Sequence, residues 1–185
     1  MGHFVYTYPD HLATVRQMIG SGTAADRERV VAATENLLDL DPEVRSSTLQ
    51  SLDRLLAGNY PISDEEHPDA PDLNAAFHLI CRAVASVPSS VEIDMDEERF
   101  PEMWSYIWSA ESTPFHLPLS EYGTPAVGYW PPEEIDRQLQ TFRGLDFEAL
   151  QERSFTDYRE EIEDTCKSLE FARANGMGVF VFCFE

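Results

Sequence analysis

A chain of 185 residues with 43% apolar content can bury one real core and reads as a single domain. Its 34 acids against 13 bases give a net charge of −21, a field that repels nucleic-acid phosphate and anionic lipid headgroups and favours cationic partners. No signal-like segment follows the start and no apolar run approaches the ~20 residues that span a bilayer, so the expected location is the cytoplasm, with no membrane partner.

In chain order, Phe4-Val5-Tyr6-Thr7-Tyr8 has the β-branched and aromatic composition of a strand, and Pro9 is expected to stop it. A short helix over 10–19 follows, with Leu12, Val15 and Ile19 on one face and Gly20 closing it; Gly20-Ser21-Gly22 reads as a hinge-like loop. Residues 24–39 read as helix through Val30, Val31, Leu37 and Leu38. Asp41-Pro42 starts another, an N-cap oxygen followed by proline at the first helical position, and Val44, Leu49, Leu52, Leu55 and Leu56 carry it to Gly58. Residues 60–71, rich in proline and acid, form a solvated loop.

Leu73, Ala76, Phe77, Ile80 and Val84 show the clearest helical spacing, so a helix is expected over 73–87 with Asp72 as its cap. Residues 91–94 alternate as a short strand, and 97–110 form a helix with Phe100, Met103, Trp104, Ile107 and Trp108 along one stripe. After a loop over 111–125, residues 126–130 make a brief strand, and Pro131-Pro132-Glu133-Glu134 opens a helix with its carboxylates toward the positive end of the dipole. Another helix begins near Asp146, and a long polar one covers 156–175 until Gly176 ends it. Residues 178–184 are apolar on both faces, the pattern of a buried central strand. Strands at both ends with mostly helix between them predict an α+β fold: a small mixed sheet including both terminal strands, packed against several α-helices.

Two segments resemble a known family. Asp72-Leu73-Asn74-Ala75-Ala76-Phe77-His78-Leu79-Ile80-Cys81 is similar to a helix of YfbM-like bacterial proteins, and Gly128-Tyr129-Trp130-Pro131-Pro132-Glu133-Glu134-Ile135 resembles a second segment of theirs. The order of elements matches over about two thirds of the chain. Phe77 stands where that family usually has tryptophan, and Cys81 where a second histidine often occurs. The resemblance implies an α+β fold and no reaction.

Chemistry-bearing motifs are sparse. There is no G-x-S-x-G elbow, Walker loop or G-x-G-x-x-G, and the five histidines show no metal-binding spacing. His78, on an apolar helix, reads either as a buried or half-buried histidine hydrogen-bonded to a backbone carbonyl or as a pocket acid, base or ligand. Cys81 lies three residues beyond His78, close enough for a thiolate pair on one helix face, although core packing explains it as well. All three cysteines, Cys81, Cys166 and Cys183, lack CxxC spacing and read as buried free thiols. Asp94-Met95-Asp96-Glu97-Glu98 carries a DxD spacing that could hold a cation, but acids at that position more often cap the next helix, and no bound metal or cofactor is expected.

Charge and aromatics supply the remaining signals. Residues 59–125 hold 13 acids and two bases, so the field concentrates there, on Asp64, Glu65 and Glu66 and on Asp94, Asp96, Glu97 and Glu98. Trp104, Tyr106, Trp108, Tyr129 and Trp130 form a rich aromatic set. Most of it belongs in a core, but Trp130 before a double proline suits an exposed turn and a surface anchor. Two functions follow. One is a non-catalytic interaction module, of the kind an immunity protein represents, docking a basic partner. The other is a small ligand-binding protein or enzyme with a pocket around His78 and Tyr129-Trp130.

Overall fold

The structure, a computed structural model, describes residues 3–35, 42–60, 70–93, 126–153 and 158–184. Four strands, β1 (His3–Asp10), β2 (Ser89–Ile93), β3 (Ala126–Trp130) and β4 (Gly178–Phe184), form one sheet in the order β2-β1-β4-β3. Both terminal strands lie at its centre, β4 as expected from the apolar run at 178–184. Every pairing is antiparallel, where the sequence suggested a mixed sheet. β4 meets β1 from Phe4↔Phe184 to Asp10↔Gly178 and β3 from Ala126↔Cys183 to Trp130↔Val179.

Helices cover both faces, which explains why β4 is buried from Gly178 to Cys183. Strand alternation sorts its side chains. Phe180 and Phe182 join Tyr8, Val127 and Tyr129 in a core with α1 (Leu12–Met18), α2 (Ala24–Ala33), α3 (Pro42–Leu56) and α4 (Ala70–Val84). Val179, Val181 and Cys183 join Val5 and Trp130 in a second core against α5 (Ile135–Arg143) and α7 (Arg159–Asn175). A shorter helix, α6 (Phe147–Arg153), links those two, and the Asp146 carboxylate caps it by accepting from the Glu148 and Ala149 amides at 3.1 Å each.

Several boundaries differ from expectation for identifiable reasons. β1 runs through Pro9 to Asp10, paired there with β4 alone: Thr7↔Ser89 is the last pair with β2, so Pro9 lies where β1 has one open side, a position that tolerates proline. The first helix therefore starts at Leu12. α4 begins at Ala70, with Pro71 in the first turn where no N–H is needed, and Asp72 accepts from the Ser47 hydroxyl of α3 at 2.9 Å instead of capping. β2 starts two residues early because Ser89 pairs with Thr7, their hydroxyls 2.5 Å apart.

The expected hinge at 20–22 is pinned. Gly20 N donates to Leu55 O at 3.0 Å and Gly22 N to Leu56 O at 2.6 Å. Gly20 and Gly58, both with positive φ, pack backbone to backbone, an approach that a Cβ on Gly58 would crowd. The Ser21 and Thr23 hydroxyls both donate to the Asp26 carboxylate, and these bonds hold it below its usual pKa, fixing the entry to α2. α7 owes its polar composition partly to hydroxyls that are buried: Ser168 donates to Val87 O at 2.8 Å, and Thr165 lies beside Ser89. The expected helix at 97–110 and the loop at 111–125 lie outside the described residues, as do the acids of the 61–69 stretch.

Candidate functional site

His78 projects from α4 onto the sheet, and the residue is 5% exposed. Tyr6, Tyr8, Phe182 and Phe184 surround it, with ring centroids at 5.1, 5.3, 5.0 and 4.8 Å. Its Nε2 shares a 2.6 Å hydrogen bond with the Tyr8 hydroxyl. Burial, with help from the Arg82 charge, lowers the imidazole to about 3, and burial pushes the Tyr8 phenol far above its usual range. A neutral histidine inside an aromatic cage, bonded to a phenol that stays protonated, has neither the exposure nor the basicity for acid–base work at neutral pH. Cys81, one turn on, is fully buried, and burial raises its thiol well above the ordinary value, so no reactive His78–Cys81 pair forms.

Tyr129 and Trp130 are adjacent in sequence and separated by the sheet. Tyr129 packs with Phe180 on the α4 side, at 4.8 Å between centroids. Trp130 is 1% exposed in the opposite core, where it meets Phe142 edge-on at 6.5 Å. The expected exposed anchor is thus a core residue: the prolines that follow it start a 3-10 turn, Pro132–Glu134, which leads into α5 beneath the sheet. His78 and Trp130 share no pocket. Asp94, Asp96, Glu97, Glu98 and Trp104 lie outside the described residues. Among those described, no group of three or more His, Cys, Asp or Glu is placed to hold a metal ion.

Two further sites were not singled out in the sequence. The first is Asp10, expected to begin a helix but found at the end of β1, 3% exposed, with its Oδ2 making no hydrogen bond. Burial raises its carboxyl to about 7 against the lowering effects of the His11 amide and the Arg29 charge. The second is a cavity of about 370 Å³ where α5, α6 and α7 meet. Phe142, Phe147, Ile162 and the half-buried Cys166 supply its apolar lining; Arg143, Glu163, Lys167 and Glu170 supply its charges. Only the spacing of Ile162, Cys166 and Leu169 hinted at a packing face on this polar helix, and nothing local signalled a hollow beside it.

A family model for a domain of unknown function, DUF7691, matches residues 1–184. No curated protein and no solved structure matches the chain.

Proposed function

The chain belongs to the DUF7691 family, and from that premise we propose that it is a non-catalytic binding module whose acidic exterior docks a basic protein partner. The observation that carries this is the charge arrangement of the α5–α7 layer. Among the described residues four of its cations pair within the layer: Arg137 with Glu134, Arg143 with Glu170, Lys167 with Asp164 and Arg173 with Asp136. Arg159 lies over the Phe147 ring at 5.1 Å. Glu148, Glu152, Glu160 and Glu163 are exposed and make no ion pair among the described residues, so the excess charge of this face is carboxylate. The sealed, neutral His78 supports a non-catalytic role, because it removes the strongest acid–base candidate in the sequence. Nucleic acid and anionic membranes are disfavoured by the −21 charge. Among the described residues no helix is long and apolar enough to cross a bilayer.

Kinship with YfbM-like proteins belongs to the same proposal. It is supported by the 72–81 and 128–135 segments, which form most of α4 and the β3–α5 passage and bury Phe77, His78, Tyr129 and Trp130.

The test is affinity capture at low salt, followed by association rates with the recovered partner for the wild type and a variant with Glu148, Glu152, Glu160 and Glu163 changed to Gln. The partner should be basic. Rising salt should slow wild-type association steeply, and the variant should associate several-fold more slowly. Binding that is indifferent to both salt and the four substitutions would reduce the acidic surface to a solubility device and overturn the proposal.

A further inference from the structure

The cavity between α5, α6 and α7 shares Glu163 with the acidic exterior and adds an apolar lining to it. Its volume, about 370 Å³, falls within the roughly 300–1,000 Å³ range of small-molecule sites. The apolar lining comes from three helices: Phe142 at the end of α5, Phe147 at the start of α6, and Ile162 with Cys166 on α7. Burial raises the Cys166 thiol although the Arg143 charge opposes it, so this part of the lining is neutral.

The charged side chains of the same cavity balance. Arg143 and Lys167 are cationic; Glu163 and Glu170 are carboxylates. Arg143 uses one guanidinium nitrogen on Glu170, and its fork leaves further N–H donors for a second acceptor. Lys167 gives one proton to Asp164 at 2.6 Å and has two more. Among the described residues Glu163 makes no ion pair. Glu170 is already answered by Arg143, which leaves Glu163 open to an ammonium and the spare donors of Arg143 and Lys167 open to a carboxylate, while a simple anion would also face the −21 field of the whole chain. A molecule carrying both signs on an apolar body answers all of it.

We propose that this cavity, with Phe142, Phe147 and Ile162 against its body and Arg143, Lys167 and Glu163 at its head, binds a free α-amino acid with a large apolar side chain. The carboxylate takes the spare donors of Arg143 and Lys167, the ammonium takes Glu163, and the side chain covers the apolar lining. Glu163 also belongs to the acidic face proposed above, so E163Q bears on both readings; the analogue titrations test the cavity alone and the salt dependence of partner association tests the docking face alone.

Calorimetric titration with L-phenylalanine and L-leucine tests it, with 3-phenylpropionate and 2-phenylethylamine as analogues that each lack one charged group. One of the amino acids should bind saturably, and each analogue should bind at least about tenfold more weakly. R143Q and E163Q should each weaken the amino acid by about tenfold with thermal melts close to wild type. Should R143Q fail to fold because its tie to Glu170 is lost, E163Q breaks no ion pair and still decides. The proposal is overturned by the absence of saturable binding for either amino acid up to about 10 mM, by analogues that bind as tightly, or by wild-type affinity in E163Q.

Discussion

The Tyr8 hydroxyl and His78 Nε2 lie 2.6 Å apart inside an aromatic cage, joining the central strand β1 to α4. Removing the hydroxyl leaves a buried ring nitrogen without that partner. Tyr8→Phe should therefore cost about 1–3 kcal/mol, more than the loss of an exposed hydrogen bond. Urea melts of Y8F, of His78→Leu and of the double variant close a cycle. The coupling should be favourable, and a coupling near zero would mean the bond contributes nothing in solution.

The same histidine and Asp10 give stability opposite pH dependences. Folded His78 stays neutral down to about pH 3, whereas its ordinary value is 6.5. Between those values the unfolded chain binds more protons, so stability falls as pH drops from 6.5 toward 3. Folded Asp10 holds its proton up to about pH 7, against an ordinary 3.8. There the folded chain binds more protons, so stability falls as pH climbs from 3.8 toward 7. Asp10→Asn removes only the second effect. Relative to wild type, D10N should gain up to about 1.4 kcal/mol per pH unit across this window and level off above pH 7. Melts in urea from pH 4 to 8 check it; parallel curves would place Asp10 at an ordinary carboxylate pKa.

Much of the fold was legible because its signals are local. The run at 178–184, apolar at every position, could only be a strand covered on both faces, and Gly176 with φ of 62° ends α7 as its position suggested. Asp146 caps α6, near the expected start. The site was far less legible. Tyr129 and Trp130 read as one aromatic pair, although the alternation of the strand over 126–130 already sends neighbours to opposite faces; which core each one joins follows from the register against β4. Asp10 looked like a helix start because its true neighbour, Gly178, lies at the other end of the chain. The cavity depends on how α5, α6 and α7 approach one another, which their individual periodicities do not specify.

Phe180 tests the central placement of β4. It is fully buried, meets Phe77 edge-on at 5.3 Å and Tyr129 at 4.8 Å, and so ties the sheet to α4. Phe180→Ala should cost about 3–5 kcal/mol. A loss below about 1 kcal/mol in a denaturant melt would place the strand at the periphery.

Gly178 is held to glycine by the Tyr129 side chain rather than by backbone conformation. A Cβ added there would run into the phenol ring and hydroxyl. Gly178 also pairs with Asp10, so Tyr129 lies over the same sheet end as that buried carboxyl. The tyrosine's pKa is raised by burial first and then by the charges of Glu133 and Asp10, which agrees with that placement. Gly178→Ala must displace the ring or bend the strand, and should cost about 1–3 kcal/mol, as overpacking does. In a Tyr129→Ala background the added methyl meets no ring, so the same substitution should become nearly neutral. Chemical melts of the two single variants and the double variant measure this directly. Strictly additive losses would show that the Tyr129 ring does not lie over Gly178; a double variant more stable than additivity allows shows that it does.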